Sequence, residues 1–207
     1  MPLPELGPVA FKDDLRRNIE LLALAGSVNV TGFRAPSYSL TSETRWAYDI
    51  LAELGFRYSA SVLPARNPLF GWPGFGAAPA LVNSSIVEIP ITVYSMGPFK
   101  LPLAGGIYFR VIPFAITGHF IKKSLNRGTP VTAYFHPYDI DVRQERFMHG
   151  GINNNRFYNL LMYLNRGRVL PRLDKLIRQG FKIAPYKVLV NKLLKTDELR
   201  VYKTYTR

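Results

Sequence analysis

Apolar and polar positions alternate along this chain with two periods. Phe11, Leu15, Ile19 and Leu22 fall at helical spacing, with Lys12, Asp13, Arg16 and Arg17 off the stripe. That pattern predicts an amphipathic helix ending near Gly26. Ahead of it, Pro2, Pro4 and Pro8 predict an extended lead-in over residues 1–10. Val28–Phe33 reads as a strand. Thr41 or Ser42 is placed to cap a second helix with Trp46, Ile50 and Leu54 inward and Gly55 as its stop. Phe56–Ala60 reads as the next strand. Helix, strand, helix and strand joined by short links imply parallel pairing.

The periodicity then stops. From Pro64 to Ser85, prolines and glycines mark a long loop carrying Trp72 and Phe75. Ile86–Ile91 is a β-rich run with Glu88 inside it, and Tyr94–Pro102 reads as a turn region. Phe114 to Leu125 predicts a helix closing at Gly128, and Pro130–Phe135 a strand ending at His136. Phe157, Leu160, Leu161 and Leu164 predict the buried stripe of a helix. Leu170, Leu173, Leu176 and Ile177 predict another, and Phe181–Ala184 a last strand. Residues 186–207 form a basic, weakly patterned tail. No repeat or splitting linker interrupts residues 11–185, which read as one domain of the α/β class.

Composition changes this picture in two places. The 207 residues carry a formal net charge of +13, and the cations thicken after Arg143. Such a charge permits an anionic glycan or lipid surface, a nucleic acid, or nothing specific, but no nucleic-acid-binding motif is present, so no specific nucleic-acid partner is expected. There are no cysteines, which excludes disulfides, thiol nucleophiles and thiolate metal sites. No window of 18 apolar residues predicts a membrane span, and the first residues lack the basic and apolar regions of a signal peptide. The compartment stays open between cytoplasm and envelope.

Two ionisable side chains stand beside proline at strand ends. In Gly32-Phe33-Arg34-Ala35-Pro36-Ser37-Tyr38-Ser39, the proline holds the backbone next to Arg34 extended. In Tyr134-Phe135-His136-Pro137-Tyr138-Asp139, His136 occupies the corresponding place. Strand ends carry the chemistry of α/β proteins, and a histidine there suits proton transfer. His119 falls inside a helix and His149 in a loop. Asp13-Asp14 begins a helix, where it complements the dipole. The aromatics Tyr38, Trp72 and Tyr138 are candidates for holding a sugar, with loop packing the competing role for Trp72. The histidines lack metal-binding spacing, and nucleophile-elbow and phosphate-loop motifs are missing.

The series Phe33-Arg34-Ala35-Pro36-Ser37-Tyr38-Ser39, Trp46 to Leu51, Leu54-Gly55-Phe56-Arg57-Tyr58, Glu88-Ile89-Pro90, Gly105 to Arg110 and Tyr134 to Asp141 closely resembles the polysaccharide deacetylases of carbohydrate esterase family four. The resemblance is to the branch associated with bacterial exopolysaccharide and exosortase loci, and it runs from about Phe11 to about Ala184. It implies a distorted (β/α) barrel and metal-dependent hydrolysis of N-acetyl groups on a polysaccharide. It implies zinc, or another divalent metal, held by an aspartate and two histidines, with a second aspartate as base. Arg34 matches the arginine that orients the base, and His136 matches the histidine that protonates the leaving amine. Ser59 stands where many relatives carry an aspartate.

The same resemblance implies that the chain is the C-terminal portion of such a domain. The 33 residues before Arg34 contain no histidine, so the metal-binding half and the N-terminal strands are expected to be missing. The barrel is then incomplete, no metal is expected to bind tightly to this chain alone, and the chain by itself is expected to be inactive. A fragment, one half of a split protein, and a degenerate relative that binds glycan without cleaving it are the three explanations. The alternative function is a non-catalytic module for an anionic glycan or envelope surface.

Overall fold

The computed structural model describes residues 1–26, 29–67, 69–97, 99–148, 154–196 and 199–204. In chain order the elements are α1 (Leu3–Leu24), β1 (Gly32–Phe33), α2 (Ala47–Glu53), β2 (Tyr58–Ser59), β3 (Ala80–Val82), β4 (Ile86–Glu88), β5 (Tyr94–Met96), β6 (Phe99–Leu101), α3 (Gly106–Val111), α4 (Phe114–Asn126), α5 (Pro137–Ile140), α6 (Arg156–Tyr163), α7 (Val169–Arg178), α8 (Tyr186–Leu193) and β7 (Arg200–Tyr202). They fall into two compact units, one of residues 1–91 with 184–207 and one of residues 92–183.

The first unit holds a five-stranded sheet in the order β1-β2-β4-β3-β7. β1 to β2, β2 to β4 and β3 to β7 run parallel, and β3 to β4 is an antiparallel hairpin. The fold is therefore mixed α/β with a mostly parallel sheet, and no closed barrel occurs among the described residues. The parallel pairing expected from element order holds. The hairpin was not anticipated, because β3 lies inside the proline-rich stretch read as loop. Val82 pairs with Ile86, so three residues make the turn; Ser85 N–H closes it on Val82 O at 3.0 Å, and Asn83 and Ser84 sit in the left-handed region at φ 49° and 58°.

Helix boundaries differ from the sequence pattern for local reasons. The lead-in expected to be extended is helical from Leu3, with a break at Gly7 (φ 70°). Proline is tolerated in a first helical turn, and Leu3 is drawn in by burial and by donating its N–H to Ser39 Oγ at 3.0 Å. α2 starts at Ala47, and its most buried positions are Ala47, Tyr48 and Leu51 rather than Trp46, Ile50 and Leu54, which pack at the margin. The tail from Tyr186 is structured: α8 packs Val190 against Val87 and Ile89, and β7 joins the sheet. Phe181–Ala184 forms no strand.

The second unit combines the β5–β6 hairpin with α3 to α7. Its core is Phe109, Ile121, Val169 and Leu176. Tyr94–Pro102, read as a turn, supplies that hairpin. The run expected as a strand at Pro130–Phe135 is not a strand. Its backbone is tied by hydroxyls instead: Thr92 N–H donates to Thr132 Oγ1 at 2.6 Å and Thr132 N–H to Thr92 Oγ1 at 2.9 Å. Val28 and His149 lie outside the described residues.

Candidate functional site

Two polar constellations stand at loop positions, one in each unit. In the first, β1 ends at Phe33 and Arg34 leaves the sheet. Gly32, two residues earlier, makes room for the Tyr58 ring of the neighbouring strand. A Cβ there would lie 2.2 Å from the Tyr58 ring, so only glycine lets that ring cross the strand. Tyr58 in turn lies parallel to Tyr186, with centroids 6.4 Å apart. Arg34 rests its guanidinium 5.2 Å from the Tyr186 centroid, donates from Nη2 to Tyr186 Oη at 2.8 Å and from Nε to Ala60 O at 3.1 Å. An exposed arginine is thereby held at two points.

The loop behind Arg34 hangs from a buried carboxylate. Glu88, at the end of β4, has no exposed surface. Its Oε1 accepts the N–H groups of Ser61 (2.8 Å) and Val62 (2.9 Å), and its Oε2 accepts the Tyr48 hydroxyl at 3.1 Å. Ser61 Oγ then accepts Ala35 N–H at 2.8 Å and the Ser59 hydroxyl at 2.8 Å. So Ser59, which the resemblance sets in place of an aspartate, is itself a buried polar anchor. Burial pushes the Glu88 carboxyl up, against hydrogen bonds from Ser59, Val62, Ser61 and Tyr48 that pull it down. The turn beyond Pro36 is strained, with Ser37 at φ 52° and Tyr38 at φ 56°; non-glycine residues hold such angles only where their surroundings fix them.

Trp72 does not join this constellation. It is 7% exposed and packs edge-on to Phe75 and Tyr202, at 5.2 and 5.7 Å, the latter on the strand at the opposite edge of the sheet from β1. Packing is the role its surroundings give it.

In the second unit, His136 precedes α5, and Asp139 lies one helical turn on. Asp139 Oδ2 accepts His136 N–H at 2.9 Å and lies 3.2 Å from His136 Nδ1. Its other oxygen, Oδ1, pairs with Arg110 Nε at 3.0 Å, and both side chains are essentially unexposed. Arg110 Nη1 donates to Met162 O (3.1 Å) and Leu164 O (2.7 Å). The imidazole itself is half exposed. Tyr138 stacks on it at 4.7 Å, and Tyr134 stands edge-on at 6.1 Å. This is a relay of orientation: a fixed cation, a buried carboxylate, an accessible ring.

Local sequence explains how the parts meet. Gly105 and Gly106 open α3, and a Cβ on Gly105 would fall 2.5 Å from the Tyr134 ring and 2.7 Å from Tyr134 O. Gly106 N–H donates to that carbonyl at 2.9 Å. The glycine pair thus docks α3 directly against the residues leading to His136. Arg110, one turn further along α3, is brought to Asp139.

Burial works against the Asp139 carboxylate, yet hydrogen bonds from the His136 ring and backbone, with the charge of Arg110, hold it below the ordinary value. Burial pulls Arg110 down while Asp139 supports its charge. Tyr138 is pushed up to about 12, by burial first and then by the Asp139 charge. A carboxylate only accepts, so the Asp139 contact puts the hydrogen on His136 Nδ1 and leaves Nε2 as the unprotonated nitrogen of the ring.

The family model described as a domain of unknown function (DUF3473) matches residues 60–190. The chain belongs to that family. The DUF3473 segment contains Glu88, Arg110, His136, Asp139 and Tyr186, while Arg34 precedes it. No curated protein and no solved structure matches the chain.

Of the sequence candidates, His136 and Tyr138 are in direct contact, and Arg34 and Tyr38 share one loop. Sequence reasoning missed Asp139, Arg110, Glu88 and Tyr186 as site residues. The spacing of His136 and Asp139 across a helix start signals the first. No local signal links Tyr186 to Arg34, which are 152 positions apart. Among the described residues no three His, Cys, Asp or Glu side chains group as metal ligands, and Asp139 is committed to Arg110 and His136.

Proposed function

We propose that this chain is polysaccharide deacetylase-like and serves the hydrolysis of N-acetyl groups on a bacterial exopolysaccharide. The observation carrying the reading is the Arg110–Asp139–His136 alignment, which leaves Nε2 of an accessible imidazole able to pass a proton. Its support is the ordered series of motifs shared with the deacetylases, within which both His136 and Arg34 fall. In amide hydrolysis water adds to the acetyl carbonyl, the carbon–nitrogen bond breaks, acetate departs and the amine nitrogen takes a proton. His136 is assigned that proton transfer. Arg34, held by Ala60 and Tyr186, is assigned the orientation of a carboxylate base, and Tyr38 and Tyr138 contact with the sugar.

The zinc or other divalent metal of the resembling enzymes would polarise the acetyl group and activate water. The described residues of this chain do not fit such an ion, so no step is drawn through it. The barrel reading belongs to the same proposal: three adjacent parallel strands, β1, β2 and β4, are consistent with an incomplete barrel of which β1 is an edge.

Acetate release from an N-acetylated hexosamine oligomer, by the protein produced from its full reading frame with zinc supplied, tests the proposal. His136→Ala is expected to lower release by about 10²–10⁴-fold, the ordinary worth of a positioned acid. Arg34→Ala is expected to lower it with the fold retained. Unchanged release in His136→Ala overturns the assignment.

A further inference from the structure

The stripe of α6 that should be buried is turned outward. Phe157 and Leu160 are 66% and 56% exposed, Leu164 is 38% exposed, and Tyr163 alone of the helix is fully inside. A helix so apolar on its outer face ordinarily has something against it. The preceding segment is also apolar and is fixed to the same helix. Phe147 N–H donates to Tyr163 Oη and Phe147 O accepts from it, both at 2.9 Å, fixing that segment to α6. Yet Phe147 and Met148 stay 48% and 40% exposed.

Cations outnumber acids around this surface, where the exposed Glu145 lies between Arg143 and Arg146 and the exposed Asp141 and Asp174 flank the stretch. From Arg146 through Leu173 the chain contains no aspartate or glutamate, while Arg146, Arg156, Arg166, Arg168 and Arg172 fall within it. Arg166 and Arg172 are tied to carbonyls, Arg166 to Asp141 O and Arg172 to Phe109 O and Ile112 O. Arg143, Arg146, Arg156 and Arg168 are exposed. What the exposed apolar residues have beside them is an excess of arginine, with Arg143, Arg146, Arg156 and Arg168 set against Glu145. An anionic lipid surface suits that combination: apolar side chains enter the acyl boundary while guanidinium groups lie at the headgroups. No helix of the described residues is long and apolar enough to cross a membrane, so the contact is with the surface.

We propose that α6, with the Phe147–Met148 segment, docks the second unit on an anionic lipid bilayer. The surface is independent of the reaction assigned to His136, and its test needs no activity. The 207-residue chain is sedimented with vesicles of phosphatidylcholine alone, and of phosphatidylcholine with about one-third phosphatidylglycerol. Binding is expected to be about tenfold or more stronger to the anionic vesicles, and to fall as salt screens the headgroups. Phe157→Gln with Leu160→Gln, both on exposed positions, is expected to reduce binding about tenfold. Arg156→Glu with Arg168→Glu is expected to abolish the preference for anionic lipid. Far-ultraviolet circular dichroism should be unchanged in all of these variants. Three results would overturn the proposal: equal pelleting with both vesicle types, full binding by the Phe157/Leu160 variant, or binding to a soluble acidic polysaccharide but not to vesicles. Conversion of a dimer to a monomer by the Phe157/Leu160 variant, without vesicle binding, would assign the face to a second copy of the chain and overturn it as well.

Discussion

Each unit of this protein fixes a loop with one buried carboxylate, and the two carboxylates are stabilised by different means. Glu88 faces only dipoles: two backbone N–H groups and hydroxyls. Asp139 faces a full charge in Arg110 and the ring of His136. Both pay for burial, but the balance falls on opposite sides, with Glu88 held above the ordinary carboxylate value and Asp139 below it. The difference separates their roles. Glu88 organises a backbone and touches no accessible side chain, so its work is positional. Asp139 transmits the position of a buried arginine to an exposed imidazole, so its work reaches the molecular surface.

The comparison breaks first at Asp139. Asp139→Ala leaves the Arg110 guanidinium buried without its partner and is expected to cost about 3–5 kcal/mol in denaturant unfolding. A loss below 1 kcal/mol would mean that the pair is not closed in solution. Glu88→Ala strands the two amides of Ser61 and Val62 and is expected to cost about 3 kcal/mol. Glu88→Gln keeps an acceptor for both amides and is expected to cost about 1 kcal/mol or less, since no cation depends on its charge. If Gln is as damaging as Ala, Glu88 is acting through its charge and the contrast with Asp139 fails.

The pH dependence sharpens the same contrast. For Asp139 the folded value lies below the unfolded one of about 3.9. Its contribution is present above that pH and is lost as pH falls through the folded value. For Glu88 the folded value lies above the unfolded one of about 4.3. There the folded state retains a proton that the unfolded state has released, so stability declines as pH rises between the two values. Unfolding free energies taken across acid pH should show Glu88→Gln removing the decline on the alkaline side of that window. Asp139→Asn should remove the loss on the acid side. Slopes of the same sign in the two variants would contradict the assignment.

Much of the sheet was legible in the sequence, because parallel strands between helices leave a periodic trace. β1, β2 and β4 fall where the apolar runs put them. What was illegible depended on distance or on context. β3 sits in a stretch whose prolines and glycines read as loop, and its partner β7 lies in a tail with weak pattern. The Pro130–Phe135 run has strand composition, but Thr92 meets it through hydroxyls rather than a ladder. Arg34 and His136 were visible as ionisable residues beside prolines. Their anchors were not: Tyr186 and Arg110 are remote in sequence, and only the three-residue spacing of Asp139 from His136 leaves a local signal. The outward stripe of α6 was visible as apolar, but periodicity alone does not tell which face finds cover.

Held by Arg110, Asp139 fixes the tautomer of His136 and leaves Nε2 as the unprotonated ring nitrogen. Long-range proton–nitrogen correlation of the His136 ring, taken at alkaline pH where an imidazole is neutral, reads this directly. The account predicts hydrogen on Nδ1 and an unprotonated Nε2. A ring carrying its hydrogen on Nε2 would contradict it.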